Sequence, residues 1–149
     1  MESQRMTFEE ELQQHGQIVY RNTGVSMMPM LRQNRDLLVV KPRGAGRCKR
    51  GDVVLYKRGE DYILHRVIKV LPEGYIIWGD HNRKRDPVVY DDQILGILSS
   101  FVRDGKEIAV DEFSYRLYSG IWTGFVIPMR SLAVWGKRKI RRIRDHLLR

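Results

Sequence analysis

The sequence has a single cysteine in 149 residues, so it forms no internal disulfide and no cysteine-based zinc site. Cys48 stands in the basic, turn-like stretch 41–50 and reads as a bystander surface thiol. A glycine-rich phosphate loop is missing, and the histidines at 15, 81 and 146 lack zinc-ligand spacing. There is no Pro- or Ser-rich linker, internal repeat or low-complexity tract, which leaves one globular domain as the expected organisation. The opening MESQRMTFEEELQQH is polar and acidic where a secretory signal needs a basic head and an apolar run, so the chain is expected to stay in the cytoplasm. Long apolar runs are scarce as well. Residues 117–135 reach the length needed to cross a bilayer, but they contain Gly120, Gly124, Pro128 and Arg130 and make a poor transmembrane helix.

Positive charge is in excess, and it is unevenly placed. Residues 137–149 hold seven Lys or Arg and one acid, Asp145, which is a net +6 of the chain's +9. A clustered tail suits an anionic membrane surface. A DNA-reading domain would spread Lys and Arg over a folded face, so nucleic acid is the less favoured partner.

Hydrophobic periodicity divides the chain. Residues 8–14 read as a short helix, with Thr7 and Glu10 in a capping-box pattern and Gly16 ending it. Runs rich in β-branched and aromatic residues follow at 17–21, 37–41, 52–57, 62–70, 75–79 and 94–102, separated by Gly, Pro, Asn and Asp turns. Such spacing predicts a mainly β domain of coiled antiparallel sheets over residues 1–112. From 113 onward Tyr118, Trp122, Phe125, Met129 and Leu132 recur at steps of four and three, a helical stripe. In the basic segment beyond it, Ile140, Ile143 and Leu147 fall on one face, as in an interfacial helix. The stripe suits packing on the β domain and seating in a lipid interface about equally well.

One stretch carries chemistry. Thr23-Gly24-Val25-Ser26-Met27-Met28-Pro29-Met30-Leu31 leaves a strand, with Gly24 giving the backbone close access and Pro29 fixing the chain just beyond. Such a turn can hold a hydroxyl and its own backbone N–H at the mouth of a cleft, which acyl transfer needs for attack and for the oxyanion.

Ser26-Met27-Met28-Pro29-Met30-Leu31 resembles the nucleophile box of the S24/S26 peptidases, the superfamily of signal peptidases and self-cleaving LexA-like repressors. Asp36 with residues 37–40, and Gly51-Asp52-Val53-Val54-Leu55-Tyr56, resemble the two strands that follow it in that family. Leu64-His65-Arg66-Val67-Ile68 is similar to the box carrying the general base, and Gly79-Asp80-His81-Asn82 to the glycine-aspartate turn further on. The four boxes stand in order across residues 17–97; the resemblance does not reach 113–149. It implies the signal peptidase/LexA-like fold, a Ser26 nucleophile and, because His65 stands where many members carry lysine, the histidine-type subclass. A histidine is already mostly neutral at pH 7 and accepts a proton without the desolvation a lysine requires.

The resemblance also implies a third residue, an aspartate orienting the histidine. Asp80 and Asp86 are the candidates; Asp86, six residues after Asp80, is favoured, and Asp80 is given the shaping of the turn. Gly24 stands where some members carry an oxyanion-hole serine, so the hole is expected to rest mainly on the Ser26 N–H, with Gly24 and Met27 supporting the turn. No cofactor or metal is expected. The implied substrate is an extended peptide or precursor cut after small residues, either an exported precursor at the membrane or the leader of a cytoplasmic one. The alternative is a non-catalytic or self-cleaving regulatory module that binds nucleic acid through the basic tail.

Overall fold

The structure, a computed structural model, describes residues 6–147 apart from the side chains of Val134, Ile143, His146 and Leu147. The expected tail face of Ile140, Ile143 and Leu147 therefore lies partly outside the described residues, as does Arg149. Helix α1, Phe8–His15, begins on the expected box: Thr7 Oγ1 accepts from the Glu10 N–H, and the Glu10 carboxylate accepts from the Thr7 N–H. It ends where Gly16 takes a left-handed φ of 69°.

Eight strands follow: β1 Ile18–Arg21, β2 Leu37–Lys41, β3 Val53–Arg58, β4 Asp61–Val70, β5 Gly74–Trp78, β6 Val89–Tyr90, β7 Ile94–Arg103 and β8 Lys106–Ala109. All pairings are antiparallel, in the order β1-β2-β7-β3-β4-β5-β6, with β8 added to β7. The mainly β architecture of the expectation is thus present, with the two short strands β6 and β8 added.

Strand β7 joins the halves of this coiled sheet. Its far end pairs with β2 and β8, while Ile94, Gly96 and Ile97 pair with β3. At Gly96 a Cβ would lie 2.5 Å from the Lys41 carbonyl oxygen, so only glycine lets the strands approach there. Strand β3 is buried on both faces. Val53 and Leu55 enter a core with Ile18, Leu38, Leu98 and Phe101, whereas Val54 and Tyr56 enter a second with Val67, Tyr75, Ile77 and Val89. The two-residue side-chain period of a strand thus divides one continuous apolar run between two cores.

Cys48 corrects the sequence reading: its side chain is buried in the second core, not exposed. Arg47 draws this segment under β5 by donating to the carbonyls of Leu71 and Gly74, and the Cys48 N–H donates to the Tyr75 hydroxyl. Burial pushes the thiol's pKa up, away from reactivity.

The C-terminal part is a continuous helical rod: α2 Phe113–Ile121, a π segment Trp122–Val126, and α3 Ile127–Leu147. The stripe read from the sequence divides between two faces. Tyr118 and Trp122 stack on each other and are half-buried, whereas Phe125, Met129 and Leu132 are exposed. The wider π turn shifts the phase, so the inward face continues through Thr123 and Ile127 instead. Among the described residues no helix is long and apolar enough to cross a membrane.

Candidate active site

Ser26 opens a run of turns between β1 and β2. Met27, Met30 and Leu31 bury their side chains in the first core and so pin the turn from below. Before it, Asn22 Oδ1 accepts from the Gly24 N–H, and after it Asp36 accepts from the Arg32 N–H and from Arg103, which also donates to the Met30 carbonyl. Ser26 itself is half-buried, and among the described residues its N–H has no hydrogen-bond partner, which leaves that donor for an incoming oxyanion.

Gly24 sits in open surroundings. A Cβ there would meet nothing closer than Asn22 Oδ1 at 3.9 Å, so no close backbone approach requires glycine at that position. The demanding glycine is Gly79, where a Cβ would lie 2.9 Å from the Ser26 carbonyl oxygen. The same carbonyl accepts from the His81 N–H at 2.7 Å, which ties the serine turn to residues 79–82.

His65 lies in the middle of β4, paired opposite Val54 and 5% exposed. Its Nδ1 is 2.5 Å from Asp86 Oδ2. A carboxylate accepts, so the contact favours the proton on Nδ1, and in a neutral imidazole that leaves the lone pair on Nε2, the tautomer a general base needs. The amide of Asn82 stands 3.4 Å from Nε2, and the Asn82 carbonyl accepts from Trp78 Nε1. Arg58 approaches the other Asp86 oxygen at 3.6 Å. Tyr56 presents its edge to His65, and its hydroxyl, buried near Asp86, has its pKa pushed up by burial and that charge.

Asp80 turns the other way. It is fully buried and accepts from Arg66 through two bonds of 2.8 and 2.7 Å, and Arg66 also donates to Gly51 and Ser119. Arg130 of α3 donates to the Asp80 carbonyl, fastening the helix to this turn. Burial pushes the Asp80 carboxyl up, against the pull of Arg66.

The structure therefore brings His65 and Asp86 into contact and sets Asp80 apart from His65 as a buried brace. Ser26 and His65 line one cleft of about 340 Å³, walled by Tyr20, Arg58, Tyr62 and Leu64; no hydrogen bond joins the two among the described residues. Apo catalytic contacts are commonly long and tighten with substrate. Asn82, Arg58 and Tyr56 gained no role from the sequence, although Asn82 and Tyr56 stand inside the boxes quoted for it. Their only signal was proximity to the motif. No protein-family model matches this chain, and no curated protein matches it either.

Proposed function

We propose that the chain is a serine endopeptidase of the signal-peptidase type. The observation that carries this is that His65, held by Asp86 at 2.5 Å, lines one cleft with Ser26, whose N–H has no partner among the described residues. Peptide binding displaces the Asn82 amide from Nε2 so that the Ser26 hydroxyl takes its place. Oγ then attacks the scissile carbonyl carbon while its proton passes to Nε2, and the oxyanion faces the Ser26 N–H. Asp86 stabilises the imidazolium thus formed. As the C–N bond breaks, Nε2 returns the proton to the leaving amine, and water enters by the same route to free Ser26.

The substrate is an extended segment lying along the cleft as an added strand, with small residues before the cut, in keeping with the resemblance in residues 17–97. The basic tail supports a peripheral location at a membrane surface. A peptide library with Ala-x-Ala segments tests the activity: the wild type cuts after the small residue and Ser26→Ala does not. Equal cutting by Ser26→Ala overturns the assignment.

A further inference from the structure

The C-terminal rod has two faces of opposite character. Its inner face holds Tyr115, Thr123 and Ile127 against the body, and Arg130 reaches the catalytic turn. On its outer face Leu117, Ile121, Phe125, Met129, Leu132 and Trp135 are each between 51% and 65% exposed, with Phe113 before them and Ile140 after. These positions follow at steps of four, then three. On a regular α-helix each step of four overshoots a full turn by about 40°, and the π segment takes up that drift, keeping the side chains on one line. A soluble monomer rarely leaves so long an apolar line uncovered.

Charge identifies what covers it. Six Lys or Arg between 137 and 144 prolong the same rod, with one acid, Asp145. Where α3 passes the active-site loop, Arg83, Lys84, Arg85 and Arg138 line a notch whose apolar walls include Leu132 and Trp135. A second copy seated on the line would leave the basic notch and tail without counter-charge, since the tail carries one acid, Asp145. An anionic bilayer satisfies both features, taking the apolar line among its acyl chains and the notch and tail among its phosphates.

We infer that the outer face of α2–α3 lies in the surface of an anionic lipid bilayer, with the 83–85 turn and Arg138 holding lipid headgroups. Arg130 on the inner face donates to the Asp80 carbonyl, which fastens the rod to the loop that carries Asp80 and Asp86. The arrangement selects precursors presented at a membrane surface, a consequence that rests on the peptidase reading; the lipid contact itself does not.

The full chain is tested by co-sedimentation with vesicles of phosphatidylcholine alone or mixed with phosphatidylglycerol, at low and high salt. Binding to the anionic vesicles is expected to be at least tenfold stronger, to fall sharply near 1 M salt, where the screening length shrinks to about 3 Å, and to shift tryptophan emission to the blue. The triple variant Phe125→Ser/Leu132→Ser/Trp135→Ser should lose more than tenfold of that binding with an unchanged circular dichroism spectrum. Arg83→Gln/Arg85→Gln/Arg138→Gln should lose most of the anionic preference. No vesicle binding by the wild type, undiminished binding by the triple variant, a dimer that the triple variant abolishes, or tight duplex DNA binding that displaces the vesicles would each overturn the inference. Ser26→Ala should bind vesicles as the wild type does, so a failure of the peptidase reading is seen separately, in the cleavage assay.

Discussion

His65 and Arg66 are consecutive on β4, so the strand's period of two sends them to opposite faces, and each meets a different aspartate of residues 79–86. His65 lines a cleft with Asp86 behind it, one imidazole nitrogen tied and the other 3.4 Å from the Asn82 amide. Arg66 and Asp80 meet at full burial, with further guanidinium donors spent on Gly51 and Ser119. The chemical types look alike, an acid beside a base. Their surroundings differ: the Arg66 guanidinium is closed off by its further partners, whereas Nε2 of His65 faces only the Asn82 amide at 3.4 Å, which is what the proposed base role requires. A polar pair earns a chemical role through what its remaining atoms face.

Variants can break this comparison in order of effect. Ser26→Ala and His65→Ala are each expected to lower kcat/KM by roughly 10⁴-fold or more while the circular dichroism spectrum stays native, since nucleophile and base act as one unit. Asp86→Asn should follow at about 10²- to 10⁴-fold in kcat with a melting temperature near wild type. The buried pair should invert that pattern: Asp80→Asn leaves Arg66 without its counter-charge, so it should cost about 3 kcal/mol of stability in urea melts, with the folded fraction still cutting peptide. A stable, inactive Asp80→Asn would place that aspartate in the chemistry instead.

Two glycines sharpen the contrast. Gly79→Ala places a Cβ 2.9 Å from the Ser26 carbonyl oxygen and 2.8 Å from the Asn82 amide, so it should displace the nucleophile turn and cost about 1–3 kcal/mol along with most activity. Gly24→Ala meets no such obstacle and should stay within about 0.5 kcal/mol of wild type in the same melts.

The sequence disclosed most of the strands because half-buried strands alternate visibly, and α1 because a capping box is local. Strand β6 left no signal because it is two residues long, and β8 because its four residues, Lys106–Ala109, include one β-branched side chain, Ile108. The contact of His65 with Asp86 agrees with the six-residue offset from Asp80, but nothing in spacing alone separates the two aspartates; that takes the opposed faces of β4. Cys48 was misread because its polar neighbours describe the surface while its own side chain turns under β5. The helical stripe failed at the π segment, since a fixed period cannot register a turn that holds an extra residue.

The smallest expected effect lies away from the cleft. Tyr62 donates to Glu9 at 2.6 Å and, as the largest influence, holds that carboxyl below its ordinary range. A carboxylate whose pKa falls on folding adds stability above its unfolded pKa and loses it as pH drops through the folded value. Tyr62→Phe should therefore cost less than about 1 kcal/mol near neutral pH, in a partly exposed pair, and the difference should shrink as pH falls through the acid range in paired thermal melts.

In the proposed mechanism Ser26 becomes acylated with His65 as its base. Acid-quenched mixtures of the protein with an activated acyl ester, read by intact and peptide mass spectrometry, test it most directly. One acyl group is expected on Ser26 in the wild type, and none in Ser26→Ala or His65→Ala. Acylation at Cys48 or a lysine with Ser26 unmodified, or an unchanged Ser26 adduct in His65→Ala, would contradict it.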